Sequence, residues 1–359
     1  MAMKSIYATL LERIERKKPV ALATLVGVEG SAPQVLGASA LFGPSGLIAG
    51  TLGGGLLEAR AEKESLKALR AKQSRVLDLD LRGSFDSAEG ILCGGAVKVL
   101  IDAAPAKHRL VFHKMEAAGT RSQDGVLLTT LKAGRGEGLL LTRRWVLRRD
   151  LERETRTKTL AVFRRPIRNS LRRPVALTSV GGLSLFAEHL EPRPRLIIAG
   201  AGHIGQALCP MGSRLGFEVT VVDDRPEFGS KRRLPDADRI VVGNIGRSLA
   251  RLPLGRDAYV VIVTRGHKYD AEAARACLKR PAAYIGMIGS RRKIDLMRAN
   301  FLAKRWASGR EFDRLAAPIG LPIRSQTVEE IAVSIAAELV LARRTSPGRS
   351  GRKEPWFGP

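Results

Sequence analysis

The feature that most constrains this chain is the glycine-rich segment GAGHIG, which follows the apolar segment RLIIA and opens a predicted helix. Gly200, Gly202 and Gly205 fit the pattern G-x-G-x-x-G, and Asp223 stands at the end of the next apolar segment. In that context the glycines allow a tight turn, and the amides of the helix can hold a diphosphate. Asp223 would then accept hydrogen bonds from a ribose hydroxyl, with Asp224 as the alternative. A domain that packs in this way without binding a nucleotide is the other interpretation.

Apolar segments alternate with helical segments from residue 191 onward. The predicted strands are RLIIAG, FEVTVVDD, RIVVG, YVVIVTRG and AAYIGMIG, and a last helix begins at a capping box, Thr327 to Glu330. Such alternation is typical of a parallel, doubly wound sheet. The predicted fold class is therefore α/β: a small N-terminal α+β domain followed by a C-terminal Rossmann-like doubly wound parallel sheet.

Three loops of this predicted sheet should share one edge, because the usual strand order 3-2-1-4-5 opens the loops after strands 1, 4 and 5 on the same side. The first loop carries His203 and the second carries His267, beside several cations. The third loop carries Gly289, Ser290, Arg291 and Arg292. Ser290 is a candidate N-cap, and a helix that begins there beside cations would attract an anion. The edge suits a phosphorylated ligand. The alternatives are that His203 lies on the loop surface, that His267 caps or braces its turn, and that the cations form a solvated face.

The N-terminal part has a different pattern. It predicts a helix over 3–18, a strand over 20–28, a hairpin around the turn GPSG, a helix over 56–72, and strands over 75–81 and 96–102. Consecutive glycines expose backbone amides that can bind an anion. The candidate anion-binding residues here are Gly53, Gly54, Gly55 and Gly94.

Two side chains of this part could take part in chemistry. Cys93 lies in a glycine turn whose amides would favour the thiolate, which can bind a soft metal or accept sulfur as a persulfide. A small residue at a tight strand entry is the alternative for Cys93. Glu58 is either an acid/base group or an ordinary first-turn acid.

Composition limits the remaining possibilities. The chain has 359 residues and a net charge of +26, which favours a polyanionic partner without choosing nucleic acid, membrane or phosphorylated ligand. Three cysteines exclude a disulfide scaffold, and Cys209 and Cys277 are expected to lie in the core. The charged start does not fit a signal peptide, and the longest uncharged run contains too many breakers for a membrane span. We therefore expect a cytoplasmic protein.

The chain is expected to contain four segments. They are an N-terminal domain over 1–105, a basic connector or extension of uncertain fold over 106–190, the Rossmann-like domain over 191–345, and a disordered tail over 346–359. Within the second segment, GVLLTTL, LLLTRRWVL and KTLAVFRR are strand-like, and residues 143–173 hold twelve Lys and Arg against three acids. A solvated, irregular stretch is the simpler interpretation of that charge, and an anion- or partner-binding face is the alternative.

These motifs, taken in order, resemble the XdhC/CoxI family. The resemblance rests on GSAP, GTLGGGLLEA and LCGG in the first domain, and on RLIIAGAGHIGQAL, VTVVDDRPEF, VTRGHKYD, YIGMIGSRRK and QTVEEIAVSIAAELV in the second. The middle segment and the tail lie outside it. The sequence departs from the family pattern at Gln34, where members commonly have Arg.

The resemblance implies an accessory protein for a molybdenum hydroxylase such as xanthine dehydrogenase. It would bind molybdenum cofactor, as molybdopterin or its dinucleotide form, support its sulfuration with sulfur from a cysteine desulfurase, and insert it into the apo-enzyme. Cys93 then becomes a candidate molybdenum contact or sulfur relay, with Glu58 and His267 as further candidate catalytic residues. Such a protein would be a maturation chaperone more than a stand-alone catalyst, and a homodimer is left open.

Two other functions remain open at this point. The intact fingerprint also fits an NAD(P)-dependent oxidoreductase, in which Arg225 could meet a 2′-phosphate. The charge alone suggests nucleic acid, but no zinc finger, RRM signature or basic patch interleaved with aromatics occurs in the sequence. No specific nucleic-acid partner is therefore expected.

Overall fold

The computed structural model describes residues 5–32, 34–81, 95–134, 138–171 and 174–345. The chain divides into two compact units, with the boundary in the sequence between Pro192 and Arg193. We call them the N-terminal unit and the C-terminal unit. The predicted fold class is confirmed, because a mixed α/β unit precedes a parallel sheet flanked by helices.

The N-terminal unit begins with the elements that the sequence predicts. They are α1 (Ile6–Glu15), β1 (Ala21–Glu29), β2 (Ser39–Gly43), β3 (Gly46–Gly50), α2 (Gly55–Ala71), β4 (Arg75–Asp80) and β5 (Ala96–Asp102). The five strands form an antiparallel sheet in the order β3-β2-β1-β5-β4. Alternate residues of β1 face opposite sides: Ala23 and Leu25 pack with α2, whereas Leu22 and Val26 face away from it.

The segment expected to be a basic connector contains a second sheet. After a 3₁₀ turn at Pro105–His108, its elements are α3 (Arg109–Thr120), β6 (Gly125–Ala133), β7 (Leu139–Leu147), α4 (Leu151–Glu154), α5 (Lys158–Ala161), α6 (Arg164–Ser170), β8 (Val175–Val180) and β9 (Leu183–Leu190). The strands are antiparallel in the order β7-β6-β9-β8. This sheet packs on the face of the first sheet that α2 leaves open, through Leu131 and Phe186 against Val26 and Leu100.

The strand-like interpretation of KTLAVFRR is wrong, because residues 158–161 and 164–170 are helical. Leu160, Phe163 and Ile167 recur at helical spacing and are all buried against β6 and β9. Burial of that stripe, and not the local β-propensity, decides the conformation.

The C-terminal unit is a six-stranded parallel sheet between two helical layers. Its elements are β10 (Arg195–Ala199), α7 (His203–Arg214), β11 (Glu218–Asp223), β12 (Arg239–Val242), α8 (Ile245–Arg251), β13 (Ala258–Ile262), α9 (His267–Cys277), β14 (Tyr284–Met287), α10 (Arg291–Ala303), α11 (Gly309–Phe312), β15 (Leu315–Ala316) and α12 (Val328–Arg344). The order β12-β11-β10-β13-β14-β15 confirms the predicted 3-2-1-4-5 arrangement and adds a short sixth strand that the sequence did not predict.

The two layers of this unit bury opposite faces of the sheet. α7 and α12 cover one face, while α8, α9, α10 and α11 cover the other. Cys209 and Cys277 are buried, one in each layer, as predicted, and burial raises the pKa of each thiol to about 12. The predicted capping box at Thr327 and Glu330 opens α12. Across the described residues, none of the helices combines the length and the apolarity that a membrane crossing requires.

Candidate functional site

The glycine loop after β10 combines two glycines fixed by packing with one that is open. Gly200 has φ +114°, and a Cβ there would lie 2.4 Å from the carbonyl oxygen of Val263. A Cβ on Gly205 would lie 2.0 Å from the carbonyl oxygen of Gly200, so both positions exclude side chains. A Cβ on Gly202, by contrast, would have nothing within 4 Å in the described part of the chain. Gly202 is therefore where another molecule can approach the loop.

Asp223 is buried and braces this loop. Its carboxylate accepts hydrogen bonds from the backbone N–H of Ala201 at 2.6 Å and from the Arg225 guanidinium at 2.9 and 3.0 Å. Burial alone would raise the pKa of Asp223, but the bonds from Arg225 and Ala201 outweigh it and lower the pKa. The predicted ribose acceptor thus already has partners within the protein, while the alternative, Asp224, is partly exposed.

Two helices begin at the same edge with a glycine as N-cap. Gly202 occupies the N-cap position of α7, and Gly266 occupies that of α9. Within the described ranges, no side chain accepts a hydrogen bond from the first-turn amides of either helix as a cap. β10 and β13, which precede these helices, are neighbours in the sheet. The first-turn amides of the two helices therefore lie side by side without side-chain acceptors, and such a pair of helix starts attracts negative charge. His203 and His267 are the first residues of these two helices, and both are exposed.

The third loop has a side-chain cap. The Ser290 hydroxyl accepts from the backbone N–H of Lys293 at 3.3 Å, as its predicted N-cap role requires. Arg291 and Arg292 are exposed at the start of α10, and Gly289 precedes them on the same loop. The predicted residues of all three loops thus lie at the same edge of the sheet.

Asp270 is a buried anion that links the second loop to the third. It accepts from the Thr264 hydroxyl at 2.6 Å and pairs with the ammonium of Lys293. Asp270 was not among the predicted site residues. A signal was present, since Asp270, Ala273 and Cys277 share the buried face of α9, and an acid on an apolar face needs a partner.

Arg265 crosses this edge on the outside. Its guanidinium donates to Asp224 and to the hydroxyl of Tyr269, at 2.8 and 2.9 Å, and lies 4.9 Å from the centroid of the Tyr269 ring. Asp224 follows β11 and Arg265 follows β13, so the ion pair joins the two loops on either side of the glycine loop.

The second set of predicted residues belongs to the N-terminal unit. Gly53, Gly54 and Gly55 all have positive φ, of 109°, 75° and 60°, so this turn needs glycine. Cβ atoms on Gly54 and Gly55 would meet no described atom within 4 Å. The turn therefore offers accessible backbone, as expected for an anion-binding loop.

Glu58 holds the same turn from the first turn of α2. It accepts from the Thr51 hydroxyl at 2.7 Å and from the backbone N–H of Leu52 at 2.9 Å. The hydrogen bond from Thr51 is the main cause of the lowered pKa of Glu58. These contacts favour a bracing carboxylate over a proton donor at neutral pH.

Cys93 and Gly94 lie outside the described residues, so their predicted roles stay predictions. Gly95, the next described residue, packs so closely on the GSAP segment that a Cβ would lie 2.4 Å from the carbonyl oxygens of Glu29 and Ser31. At Gln34, the departure from the family pattern, the side-chain oxygen accepts a local bond from the N–H of Val35 at 3.0 Å. In the described ranges, no three His, Cys, Asp or Glu side chains group as a metal site.

A buried polar cluster between the two sheets of the N-terminal unit was not predicted. The Tyr7 hydroxyl donates to Glu188 at 2.7 Å, and burial raises the pKa of Glu188 to about 7. Nearby, Arg143 from the basic segment pairs with Asp102, and both side chains are nearly inaccessible. This part of the charge run is therefore an internal brace and not a solvated face.

The C-terminal unit belongs to the class of α/β proteins with a Rossmann sheet. At one edge of this sheet lie cations and two helix starts without side-chain caps. The sequence profile of the XdhC Rossmann domain matches residues 196–339, and that of the XdhC and CoxI family matches residues 13–80. Together these matches cover more than half of the chain, which therefore belongs to the XdhC and CoxI family.

Individual relatives agree with this assignment. A Bacillus subtilis (strain 168) protein, named as a probable subunit of xanthine dehydrogenase, is 26% identical, covering 95% of this chain and 98% of that protein. The Escherichia coli (strain K12) molybdenum cofactor insertion chaperone PaoD is 22% identical, and the match covers 95% of this chain and 88% of PaoD. E. coli YqeB is 25% identical over 96% of this chain, which spans only 47% of YqeB, about half its length. A Bacillus halodurans crystal structure, described as a xanthine dehydrogenase, is 26% identical with a TM-score of 0.77 and covers 98% of both chains.

Proposed function

We propose that this protein binds molybdenum cofactor, supports its sulfuration and inserts it into a molybdenum hydroxylase such as xanthine dehydrogenase. Family membership supports the proposal, and so do the names of two relatives, a cofactor insertion chaperone and a xanthine dehydrogenase subunit. One observation carries the proposal: α7 and α9, which have Gly202 and Gly266 at their N-cap positions and no side-chain cap, begin next to each other after adjacent strands of the sheet.

The residues at this edge fit the anionic part of the cargo. Molybdopterin carries a phosphate, or a diphosphate in its dinucleotide form, and both suit backbone amides at a helix start. The open approach to Gly202 leaves room for such a group, while Gly200 and Gly205 keep the loop close to the sheet. The further proposed contacts are His203, Gly289, Ser290, Arg291 and Arg292. Asp223, the predicted ribose acceptor, would contribute by holding the loop from its buried position.

Sulfuration would need a group that carries sulfur or contacts molybdenum. We assign that role to Cys93, with sulfur supplied by a cysteine desulfurase, because the amides of the glycines that follow it in the sequence would favour the thiolate, which is the nucleophilic form. Gly53, Gly54, Gly55 and Gly94 stay candidate anion-binding residues of the N-terminal unit. Glu58 and His267 stay candidate acid/base residues, although the contacts of Glu58 favour a structural role.

The test is to identify what the native protein carries. The protein is purified from cofactor-replete cells, and molybdenum is measured by elemental mass spectrometry, with the released organic ligand identified by mass spectrometry. We expect molybdenum and a pterin in similar molar amounts. Absence of both, together with tight NAD(P) binding, would support the oxidoreductase that the intact fingerprint also fits.

A matched pair of variants links the result to the site. Gly202→Ala places a methyl group where the ligand would approach, and should reduce the bound pterin. Asp313→Asn changes an exposed ion pair with Arg298 on the same unit, and should leave the content of the purified protein unchanged. Equal pterin in both variants would place the ligand elsewhere.

A further inference from the structure

Arg265 and Asp224 form an ion pair that straddles the glycine loop. β10 lies between β11 and β13 in the sheet, and the loop containing Gly200 and Gly202 leaves β10 at the edge where Asp224 and Arg265 follow its two neighbours. The guanidinium nitrogen and the carboxylate oxygen are 2.8 Å apart. The pair therefore spans the place where a phosphate would reach the loop amides.

The pair of Arg265 and Asp224 is more exposed to solvent than the neighbouring pair of Arg225 and Asp223. Asp223 and Arg225 form a largely buried pair that fixes the loop. The side chain of Arg265 is 44% exposed and that of Asp224 is 22% exposed, so their pair is reached by solvent. The hydroxyl of Tyr269 gives Arg265 a second anchor on the helix that follows it, so the guanidinium stays near the loop when Asp224 is released.

Physical chemistry favours an exchange of partners at this point. An exposed carboxylate pair contributes little to stability. A guanidinium binds a phosphate through two parallel charge-assisted hydrogen bonds, which are among the stronger polar contacts in proteins. A phosphate on the loop amides would therefore compete with Asp224 for Arg265.

We propose that Arg265 is a phosphate-binding residue that Asp224 occupies until a phosphorylated ligand displaces it. The ligand class is a phosphate or diphosphate ester, and the inference rests on the proposed function because it concerns the same edge. In the unliganded protein Asp224 keeps Arg265 over the loop and lowers the affinity for anions. On binding, the guanidinium transfers from Asp224 to the phosphate, and Asp224 becomes an acceptor for a hydroxyl of the ligand.

The test uses inorganic pyrophosphate as the probe, which has no sugar that Asp224 could contact. Its affinity for the full-length protein is measured by calorimetry at fixed ionic strength. Asp224→Asn should raise the affinity about two- to fivefold, the ratio that corresponds to an exposed ion pair. Arg265→Ala should lower it about tenfold or more, the effect of a charge-assisted contact. Asp313→Asn removes one negative charge from another exposed pair and should change nothing.

The double variant separates exchange from simple repulsion. If Asp224 acts through Arg265, the gain from Asp224→Asn disappears in the Arg265→Ala background. A gain of the same size in that background would show that Asp224 only repels anions, and would overturn the proposal. So would unchanged affinity in Arg265→Ala, or a wild type that does not bind pyrophosphate.

Failure of this inference and failure of the proposed function have different signatures. Wild-type protein that carries molybdenum and pterin, with no effect of Arg265→Ala on pyrophosphate, would overturn the exchange and leave the function standing. Protein that carries neither, yet shows the predicted effects of both variants, would support the exchange for another phosphorylated ligand.

Discussion

The backbone N–H of Ala201 donates to the buried carboxylate of Asp223, 2.6 Å away, so the end of β11 fixes the loop that follows β10. Arg225 holds the same carboxylate through its backbone N–H and its guanidinium. The shape of the glycine loop therefore depends on one buried negative charge as well as on its glycines.

Asp223→Asn should lower the free energy of unfolding by about 2 kcal/mol, because it leaves Arg225 and the loop amide without a charged partner. The pKa of Asp223 is lowered in the folded protein, so its contribution is present above the unfolded pKa, about 3.9, and is lost as the pH falls below it. Urea unfolding between pH 3 and pH 7 measures both effects. Asp313→Asn, at an exposed pair, should cost less than about 1 kcal/mol, and an equal cost in the two variants would contradict the bracing role.

Gly200→Ala and Gly202→Ala should separate folding from binding. The first puts a Cβ against the carbonyl of Val263 at φ +114°, and should destabilise the protein by about 1–3 kcal/mol or more. The second has φ −69° and open space, and should cost less than about 1 kcal/mol. Thermal unfolding gives the first comparison and pyrophosphate affinity gives the second. Pyrophosphate binding that survives in Gly202→Ala with full affinity would move the anion site away from this loop.

Glu188→Gln should change how stability varies with pH. The pKa of Glu188 is raised by burial to about 7, so the folded state binds more protons than the unfolded state between about pH 4.5 and pH 7. Wild-type stability should therefore fall as the pH rises through that window, by about 3 kcal/mol at most, and stay level above it. The variant should lack this component. It is measured as the difference between wild-type and variant unfolding free energies at pH 5 and pH 8; a constant difference would contradict the assignment.

Cys93→Ala should impair activation of a molybdenum hydroxylase while leaving the fold intact. The reason is the proposed sulfur- or molybdenum-binding role of its thiolate. Activity of the reconstituted hydroxylase is the readout, and circular dichroism checks the fold. Cys277→Ala is the matched control, because it removes a buried thiol of raised pKa and should affect stability without a specific loss of activation. Activation at the wild-type level by Cys93→Ala would remove this residue from the mechanism.

Most helices and strands of the first N-terminal sheet and of the C-terminal sheet could be predicted from the sequence, because the patterns that indicate them are local. The predicted bounds of α2, β4 and β5 agree with the structure within one residue. The hairpin turn GPSG, the GGG turn and the amphipathic pattern of α2 are each visible in a short stretch of sequence. The strand order of the C-terminal sheet followed from the usual topology of such folds. Neither inference required knowledge of distant contacts.

The rest depended on partners that are distant along the chain. Nothing local indicates that Arg143 meets Asp102, 41 residues away, or that Glu188 meets Tyr7, 181 residues away. The helical conformation near Phe163 is likewise decided by burial against a sheet whose strands lie on both sides of it in sequence. At the site, Asp224 and Arg265 are 41 residues apart along the chain, and only the folded sheet brings them together.

The packing of the two sheets within the N-terminal unit has a practical consequence for dividing the chain. A fragment that ended near residue 105 would expose Leu22, Val26 and Leu100 to water, because β6 and β9 would no longer cover them. Such a piece would be prone to self-association through an uncovered apolar face. A fragment that keeps these faces covered therefore has to extend to Pro192, where this unit ends, and the basic segment cannot be removed from it as a spacer.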